Sequence, residues 1–246
     1  MKHLVLSDLH GNLDALVAVL RQVRHESFDS IVVLGDLVGY GASPDQVVDR
    51  VRRLGSKVTI VRGNHDKVIA GLEDGTGFNP VALASVMWSR EHLHPDNRGY
   101  LATLPRGPLE VDGFLVSHGS PIDEDLYVID EVVAAGVFTA CEFSLCFFGH
   151  THVPCILVAD KTGVHWEPFE GGERSCQLEP GLRYLINPGS IGQPRDRDPR
   201  AAYLTYDSDS RWVRWHRVEY PVKRAQKRIR KAGLPDLLAE RLEHGI

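Results

Sequence analysis

Five short apolar runs in this chain each end at polar side chains, and this repetition restricts the possible folds more than any other feature. In the run Ile31–Leu34, four apolar residues, mostly β-branched, stop at Gly35-Asp36. Such a run is typical of a strand buried on both faces of a sheet. Because ligands bind beyond the carboxyl ends of strands in open α/β sheets, five such endings indicate one shared site. The endings are Asp8-Leu9-His10, Gly35-Asp36, Gly63-Asn64-His65-Asp66, Ser117-His118-Gly119 and Gly149-His150-Thr151-His152.

Residues 2–61 predict an alternation of strands and helices. The β-α-β-α-β order implies right-handed crossovers and a parallel sheet. The second helix has a recognisable start, with Ser43 as the N-cap, Pro44 in the first turn and Gln46 at the capping-box position. We expect strands at Lys2–Leu6, Ile31–Leu34 and Lys57–Val61, and helices at Leu13–Arg24 and Pro44–Leu54.

From Leu109 onward, short strands predominate. Asp112-Gly113 is a hairpin turn signal, and a helix over Asp130–Ala140 interrupts the strands. A second sheet packed against the first, with helices outside both, is the simplest architecture, so we expect an α/β fold with a single domain over residues 1–246. The expected strands are Leu109–Val111, Phe114–Ser117, Leu145–Phe148, Cys155–Ala159, Val164–Trp166, Tyr184–Ile186, Ala201–Tyr206 and Trp212–Val218.

Between these two parts, the stretch Asn79–Leu104 predicts two helices. The first, which begins at Asn79-Pro80, is apolar on nearly all sides. A helix without a polar face is buried or covered by a partner. Burial within its own domain is the simpler interpretation, and an interface or a lid over the site is the alternative.

Charge and composition disfavour a nucleic-acid-binding, a disulfide-bonded or a membrane protein relative to other classes. The net charge of −5 gives no electrostatic reason to bind nucleic acid. The basic segment Val222–Lys231 could contact an acidic partner or a nucleic acid, but a solvated helix face with Ala225, Ile229 and Ala232 turned inward is the simpler interpretation. The four cysteines lack metal-site spacing and are expected to be reduced packing residues. With no signal region or apolar run of membrane-spanning length, we expect a cytoplasmic protein, and a homo-oligomer remains open.

The polar endings supply seven oxygen and nitrogen donors and no sulfur. Asp8 and His10 stand two residues apart, and on an extended segment this spacing puts both side chains on one face; His150 and His152 repeat it. Seven donors are too many for one tetrahedral ion but suit two ions that share a ligand. The donors are Asp8, His10, Asp36, Asn64, His118, His150 and His152.

A shared ligand must be a carboxylate, because a neutral histidine nitrogen serves only one ion. Asp36 is the candidate bridge. Two divalent cations and two carboxylates together carry a net positive charge, which attracts a phosphate ester. Such a pair of ions can stabilise the attacking and leaving oxygens of an in-line displacement, and it lowers the pKa of bound water so that hydroxide is available near neutral pH. Imidazole and carboxylate ligands favour manganese, iron, zinc, nickel or cobalt over calcium or magnesium, and manganese is our first expectation.

His65 follows the donor Asn64 directly. Consecutive side chains diverge, so we expect His65 to point past the metals towards the substrate. An imidazolium there would protonate the leaving oxygen or stabilise transition-state charge. Asp66 would orient this ring, or alternatively cap the helix that follows.

The five endings, in this order and spacing, resemble the motifs of the calcineurin-like metallophosphoesterase superfamily. The likeness runs from Met1 to about His152, and Asn187-Pro188-Gly189-Ser190 with Ala201–Tyr206 resembles the end of its small prokaryotic phosphodiesterase branch. The resemblance implies a four-layer αββα sandwich, two packed mixed β-sheets flanked by helices, with a dinuclear metal centre and His65 as the catalytic histidine. It assigns Asp8, His10, Asp36 and His152 to one metal, and Asp36, Asn64, His118 and His150 to the other.

Substrate contacts are less clearly marked. The protein Ser/Thr phosphatases of this superfamily carry a phosphate-binding arginine in an Asp-Arg-Gly after the second motif, where this chain has Gly39-Tyr40-Gly41; Arg62 does not replace it by position. Arg195 and Arg197 are candidates for phosphate contacts, with surface arginines as the alternative. Asn12 is a candidate substrate ligand, although a helix N-cap is the simpler interpretation.

We therefore expect a metal-dependent hydrolase of small phosphoesters, and more specifically a phosphodiesterase. A symmetrical dinucleoside polyphosphate hydrolase or a protein phosphatase is the nearest alternative. A non-catalytic scaffold would tolerate loss of ligands, yet all seven donors and His65 are present. A nuclease is disfavoured by the acidic net charge.

Overall fold

In the computed structural model, which describes residues 1–169 and 172–246, the strands form two six-stranded sheets. The first has the order β3-β2-β1-β11-β12-β9 and the second β4-β5-β6-β10-β7-β8. The strands are β1 (Lys2–Leu6), β2 (Ser30–Val33), β3 (Val58–Ile60), β4 (Leu109–Val111), β5 (Phe114–Val116), β6 (Leu145–Phe147), β7 (Cys155–Asp160), β8 (Gly163–Pro168), β9 (Arg174–Gln177), β10 (Arg183–Asn187), β11 (Ala201–Asp207) and β12 (Trp212–Val218).

Helices cover the outer faces of the sheets. Together the layers give the α/β sandwich of two mixed sheets that we expected. The helices are α1 (Leu13–Gln22), α2 (Pro44–Arg52), α3 (Asn64–Ala70), α4 (Pro80–His92), α5 (Pro95–Ala102), α6 (Glu131–Ala140), α7 (Val222–Lys231) and α8 (Asp236–His244).

Strand β1 shows why its sheet is buried on both faces. Alternate side chains point to opposite faces of a strand. Leu4 and Leu6 accordingly pack into the core beneath α1, whereas Val5 packs into the core between the two sheets. The inter-sheet core also contains Phe147 from β6 and Trp215 from β12.

Parallel pairing brings the carboxyl ends of six strands to one region. In the first sheet β1 pairs with β2 and β2 with β3 in parallel, as predicted. In the second sheet β5 pairs with β6 and β6 with β10 in parallel. The loops that leave β1, β2, β3, β5 and β6 carry the five polar endings, so the topology itself creates one candidate site.

The element boundaries differ from the predictions at several points. Helix α1 ends at Gln22, before Arg24, and α2 ends at Arg52. The capping-box prediction is wrong, because the Ser43 side chain makes no cap hydrogen bond. The edge strand β9 and the helix α8 were not predicted.

Two segments with alternative interpretations pack against their own fold. The inward side of α4 is formed by Ala82, Ser85, Val86 and Ser89, so the fold itself covers this helix. In α7, Ala225 and Ile229 are buried, as expected for a solvated helix with an inward apolar face.

The basic residues of α7 are partly committed within the molecule. Arg224 and Arg228 both contact the buried carboxylate of Asp14, at 2.6 and 3.2 Å. All four cysteines are free thiols, as expected. Within residues 1–169 and 172–246, no helix is long and apolar enough to cross a membrane.

Candidate metal centre

The polar endings of the five strands converge on two groups of potential metal ligands. In each group the ligand atoms lie within 4.8 Å of one another, and all the residues are buried. Asp36 belongs to both groups. We call Asp8, His10, Asp36 and His152 the first cluster, and Asp36, His118 and His150 together with Asn64 the second cluster.

The backbone reaches this arrangement through left-handed turns rather than extended segments. Asp8 and His10 have φ values of 52° and 47°, and His150 and His152 have 67° and 62°. The expectation that these pairs share one face of an extended segment is therefore wrong, although the side chains do converge. A non-glycine residue in this region costs about 1–2 kcal/mol, and such strain is concentrated at functional sites.

Two motif glycines let the loops approach each other closely. A Cβ atom at Gly63 would lie 2.0 Å from Asp36 Oδ1, and one at Gly149 would lie 2.1 Å from Ser7 Oγ. Any side chain at either position would displace a carboxylate of the site or its hydrogen-bond partner. These glycines are thus part of the geometry of the centre.

The two carboxylates are held in place by groups outside the ligand set. Asp36 Oδ1 accepts a hydrogen bond from the His65 amide at 3.0 Å, while Oδ2 lies 3.5 Å from both His10 Nε2 and His118 Nε2. Asp8 Oδ2 accepts from Ser7 Oγ at 2.6 Å. The position of Asp36 Oδ2 between the two clusters suits a bridging ligand.

Backbone carbonyls fix three of the four imidazoles. Nδ1 of His10, His118 and His152 lies 3.1, 2.8 and 2.7 Å from a carbonyl oxygen. Since a carbonyl only accepts, each Nδ1 carries the proton and each Nε2 presents a lone pair to the centre. This is the outer hydrogen bond that metal-binding histidines ordinarily make. His150 differs, because its Nδ1 faces the centre and its buried Nε2 has no hydrogen-bond partner.

This tautomer pattern tests whether the residues fit a metal. Nε2 of His10 and Nε2 of His152 lie 3.0 Å apart, with neither able to donate a hydrogen bond to the other. The lone pairs on these two nitrogens repel each other in the absence of a cation, whereas both can coordinate a cation placed between them. Burial also raises the pKa of Asp8 to about 7, so the ionised carboxylate needs a compensating positive charge. The donor set therefore fits divalent metals.

Comparison with known proteins places the chain in a family. A family model described as a calcineurin-like phosphoesterase superfamily domain matches residues 1–211. The chain belongs to this superfamily. Metallophosphoesterases of this kind use two divalent metals, and the first and second clusters fit such a pair.

Some relatives match over nearly the whole chain and others over about a third of it. An uncharacterized protein of Methanocaldococcus jannaschii is 33% identical over 97% of this chain and 96% of its own length. The crystal structure of a metallophosphoesterase from Sphaerobacter thermophilus has a TM-score of 0.85 and 40% identity, covering 100% of this chain and 99% of that one. The symmetrical bis(5'-nucleosyl)-tetraphosphatase of Sodalis glossinidius is 36% identical over only 32% of this chain and 28% of its own length.

His65 lies beside the ligands but belongs to neither cluster. Its ring lies 4.9 Å from that of His10 and 4.5 Å from that of Tyr40, and its buried Nδ1 has no hydrogen-bond partner. Burial, with the charge of Arg195, lowers the pKa of His65 well below its ordinary value. Burial therefore favours the neutral imidazole at this position, in contrast to the imidazolium expected from the sequence.

Asp66 does not orient the His65 ring. Its carboxylate instead accepts hydrogen bonds from the backbone amides of Leu37, Val38 and Gly63 at 2.9, 3.3 and 3.0 Å. These bonds cap α3 and tie it to the loop after β2. The structure therefore supports the capping alternative and corrects the orienting role.

Asn12 and Arg195 have different surroundings. Asn12 caps α1, accepting from the Ala15 amide at 3.2 Å, and donates to the Gly192 carbonyl at 2.9 Å. Both ends of its side chain are thus committed, which corrects the substrate-ligand hypothesis. Arg195 is half-buried next to the centre, whereas Arg197 is exposed. Arg62 pairs with Glu124 at 2.9 Å.

Several residues that shape the site were assigned no role in it from the sequence. Ser190 Oγ donates to the Asp8 carbonyl at 2.8 Å, and Asn187 Nδ2 donates to the Gly149 carbonyl at 2.8 Å. These bonds attach the loop after β10 to the ligand-bearing loops. The Tyr127 ring lies 3.7 Å from that of His150 and is 47% exposed. No run or spacing marks Tyr127 in the sequence.

Proposed function

We propose that this chain is a dinuclear-metal-dependent phosphoesterase that hydrolyses small phosphodiesters. The observation that supports this most directly is the sharing of Asp36 by two buried ligand clusters. Bound divalent cations would polarise a phosphate ester, stabilise negative charge on it and lower the pKa of water near neutrality. Manganese is the proposed metal, with iron, zinc, nickel and cobalt as alternatives.

The chain's own residues would organise the reaction around those cations. The first cluster and the second cluster would hold the metals through four histidines, three of which have their tautomers fixed by backbone carbonyls. His65, as a neutral imidazole beside the centre, would donate a hydrogen bond to a phosphate or leaving-group oxygen. Asp66 would keep His65 in position only indirectly, through the cap of α3.

A cleft next to the second cluster supports a small ester as the substrate. It has a volume of about 250 Å³ and is bordered by Asn64 and His150 of that cluster. Tyr40, Phe78 and Tyr127 give it aromatic walls. The cleft would accept a phosphodiester with an aromatic or nucleoside substituent.

Hydrolysis assays with manganese test this proposal. We expect faster turnover of bis(4-nitrophenyl) phosphate than of 4-nitrophenyl phosphate. His65→Ala should lower the rate by about 10²-fold or more at unchanged metal content, whereas the exposed His25→Ala should leave it unchanged. Equal rates in the parent and His65→Ala would remove His65 from the mechanism. Absence of activity in the metal-loaded parent would favour a non-catalytic scaffold.

A symmetrical dinucleoside polyphosphate hydrolase is the second candidate. It is supported by the match of 80 residues, 32% of this chain, to the tetraphosphatase of Sodalis glossinidius. Diadenosine tetraphosphate in the same assay separates the two proposals. Preferential hydrolysis of this compound into two molecules of adenosine diphosphate would replace the phosphodiesterase proposal.

We also propose that residues 1–246 act as one domain in the cytoplasm. The packing of α7 and α8 supports the first point, since Ile229 and Leu242 belong to the same core as Leu16 of α1. Partial proteolysis that releases a stable fragment lacking α7 and α8 would contradict it.

A further inference from the structure

Arg195 is a half-buried guanidinium without a carboxylate partner. Its Nη2 donates to Tyr40 Oη and to Gln193 Oε1, both at 3.2 Å, and both acceptors are neutral. Its Nε is buried and has no hydrogen-bond partner. Among the described residues, no ion pair within 4.0 Å is formed by this side chain, whereas Arg62 and Arg217 pair with Glu124 and Asp196.

This unpaired charge lies directly beside the candidate metal centre. The guanidinium is 5.7 Å from the centre of the Tyr40 ring, which in turn packs on the rings of His10 and His65 at 4.6 and 4.5 Å. Its charge also contributes to the lowered pKa values of His65 and His152. Arg195 is therefore separated from the reacting region by no more than one aromatic side chain.

Gln193 supplies a second donor without an acceptor. The residue is 1% exposed, and its Nε2 has no hydrogen-bond partner. The backbone carbonyl oxygen of Gln193 accepts a hydrogen bond from His152 Nδ1 at 2.7 Å, so the Gln193 backbone is fixed to the first cluster. Buried donors are almost always paired, and unpaired ones at a functional site need an explanation.

A multivalent oxyanion explains both features. A phosphate group carries several oxygens that accept charge-assisted hydrogen bonds from a planar guanidinium. It would also neutralise the unpaired charge of Arg195. No single neutral ligand group does both.

We propose that Arg195 and Gln193 form an oxyanion subsite that binds the nonbridging oxygens of the phosphate undergoing hydrolysis. This role rests on the proposed function, but binding of inorganic phosphate by the subsite does not. Tyr40 acts as a positioning residue, because its hydroxyl accepts a hydrogen bond from the guanidinium and its ring packs against it.

Phosphate binding to the manganese-loaded protein tests the subsite directly. Arg195→Met should weaken orthophosphate binding, measured by isothermal titration calorimetry, by about 10–100-fold. Arg53→Met is the matched control, since it removes an arginine whose side chain is 73% exposed at the end of α2, and it should change the affinity by less than about twofold. Metal content measured by mass spectrometry should remain the same in all three proteins.

Two conservative variants separate this role from a structural one. Arg195→Lys keeps the charge but loses the planar fork, so its affinity should lie between those of the parent and Arg195→Met. Tyr40→Phe should raise KM for bis(4-nitrophenyl) phosphate several-fold more than it lowers kcat. If Arg195→Met and Arg195→Lys both fold, hold two metals and bind orthophosphate as the parent does, the subsite is refuted.

The same experiment distinguishes the two proposals. A parent that binds orthophosphate through Arg195 but hydrolyses none of the esters would refute the proposed function and keep the subsite. A parent that hydrolyses bis(4-nitrophenyl) phosphate, with kinetics and phosphate affinity indifferent to Arg195→Met, would refute the subsite and keep the function.

Discussion

The first and second clusters share Asp36 but differ in how firmly their other ligands are held. In the first cluster, His10 and His152 each have Nδ1 bonded to a backbone carbonyl. In the second, His118 has the same kind of bond, but the outer nitrogen of His150 has no hydrogen-bond partner and Asn64 is only half-buried. One half of the centre is therefore enclosed and preorganised, and the other half faces the cleft.

This difference indicates a division of roles within one site. A preorganised set of ligands loses little freedom on binding, so the first cluster should retain its cation more strongly. The second cluster borders the cleft through Asn64 and His150, where a substrate would meet the centre. Three sets of variants would break or sharpen this comparison.

The largest effect is expected at the residue that the clusters share. Asp36→Asn keeps an oxygen for the His65 amide but removes the charge and one ligand oxygen from both clusters. We expect fewer than one bound metal per chain and a loss of kcat/KM of at least about 10³-fold, or about 4 kcal/mol. Inductively coupled plasma mass spectrometry and the diester assay measure these quantities.

Asp96→Asn is the control for that variant, because its side chain is 82% exposed on α5. It should bind metal and turn over substrate as the parent does. An Asp36→Asn protein with two metals would contradict the bridging role.

The convergence on Asp36 was predictable because it follows from topology. Apolar runs identify buried strands, and parallel pairing places their carboxyl ends at one edge, so residues as distant as Asp8 and His150 meet. The bounds of β1, β4 and β12 agree with the prediction for the same reason, since each has a clear apolar pattern. The sandwich of two sheets was likewise predicted from the change in pattern after Leu109.

Features set by loop contacts were not predictable in this way. The left-handed φ of Asp8 depends on its amide bonding to the Gly35 carbonyl, which no local pattern shows. The role of Asp66 depends on amides of Leu37 and Val38, about thirty residues earlier in the chain. Strand β9 lacks an apolar run and is formed by its pairing with β12 at the sheet edge.

An intermediate effect is expected from two single variants, each of which removes one histidine from one of the clusters. His150→Gln removes a ligand from the open half only, whereas His10→Gln removes one from the enclosed half. During stepwise chelation of the parent, we expect one metal to leave at about 10–100-fold lower chelator concentration than the other. His150→Gln should lack this weakly held metal and keep the strongly held one.

The reciprocal variant provides the control for that assignment. His10→Gln should lose the strongly held metal, so its remaining metal should leave at the lower chelator concentration. Identical release curves for His150→Gln and His10→Gln would show that the halves do not differ in affinity.

The smallest effect is expected at Tyr127, where the open half meets the cleft. Burial raises the pKa of Tyr127, so the ring remains an uncharged phenol at neutral pH and offers a stacking surface. Tyr127→Ala should raise KM for bis(4-nitrophenyl) phosphate about 3–10-fold, as loss of one aromatic contact predicts, with kcat within about twofold. Tyr127→Phe should retain the parent KM.

Ile129→Ala is a matched control for Tyr127→Ala, because it removes a 60% exposed apolar side chain from the same segment. It should leave KM unchanged. If Tyr127→Ala lowers kcat instead and reduces metal content, its ring acts by fixing His150, whose outer nitrogen has no other support. His150 of the open half would then be held by packing, where the histidines of the enclosed half are held by hydrogen bonds, and the substrate would have to approach from another side of the second cluster.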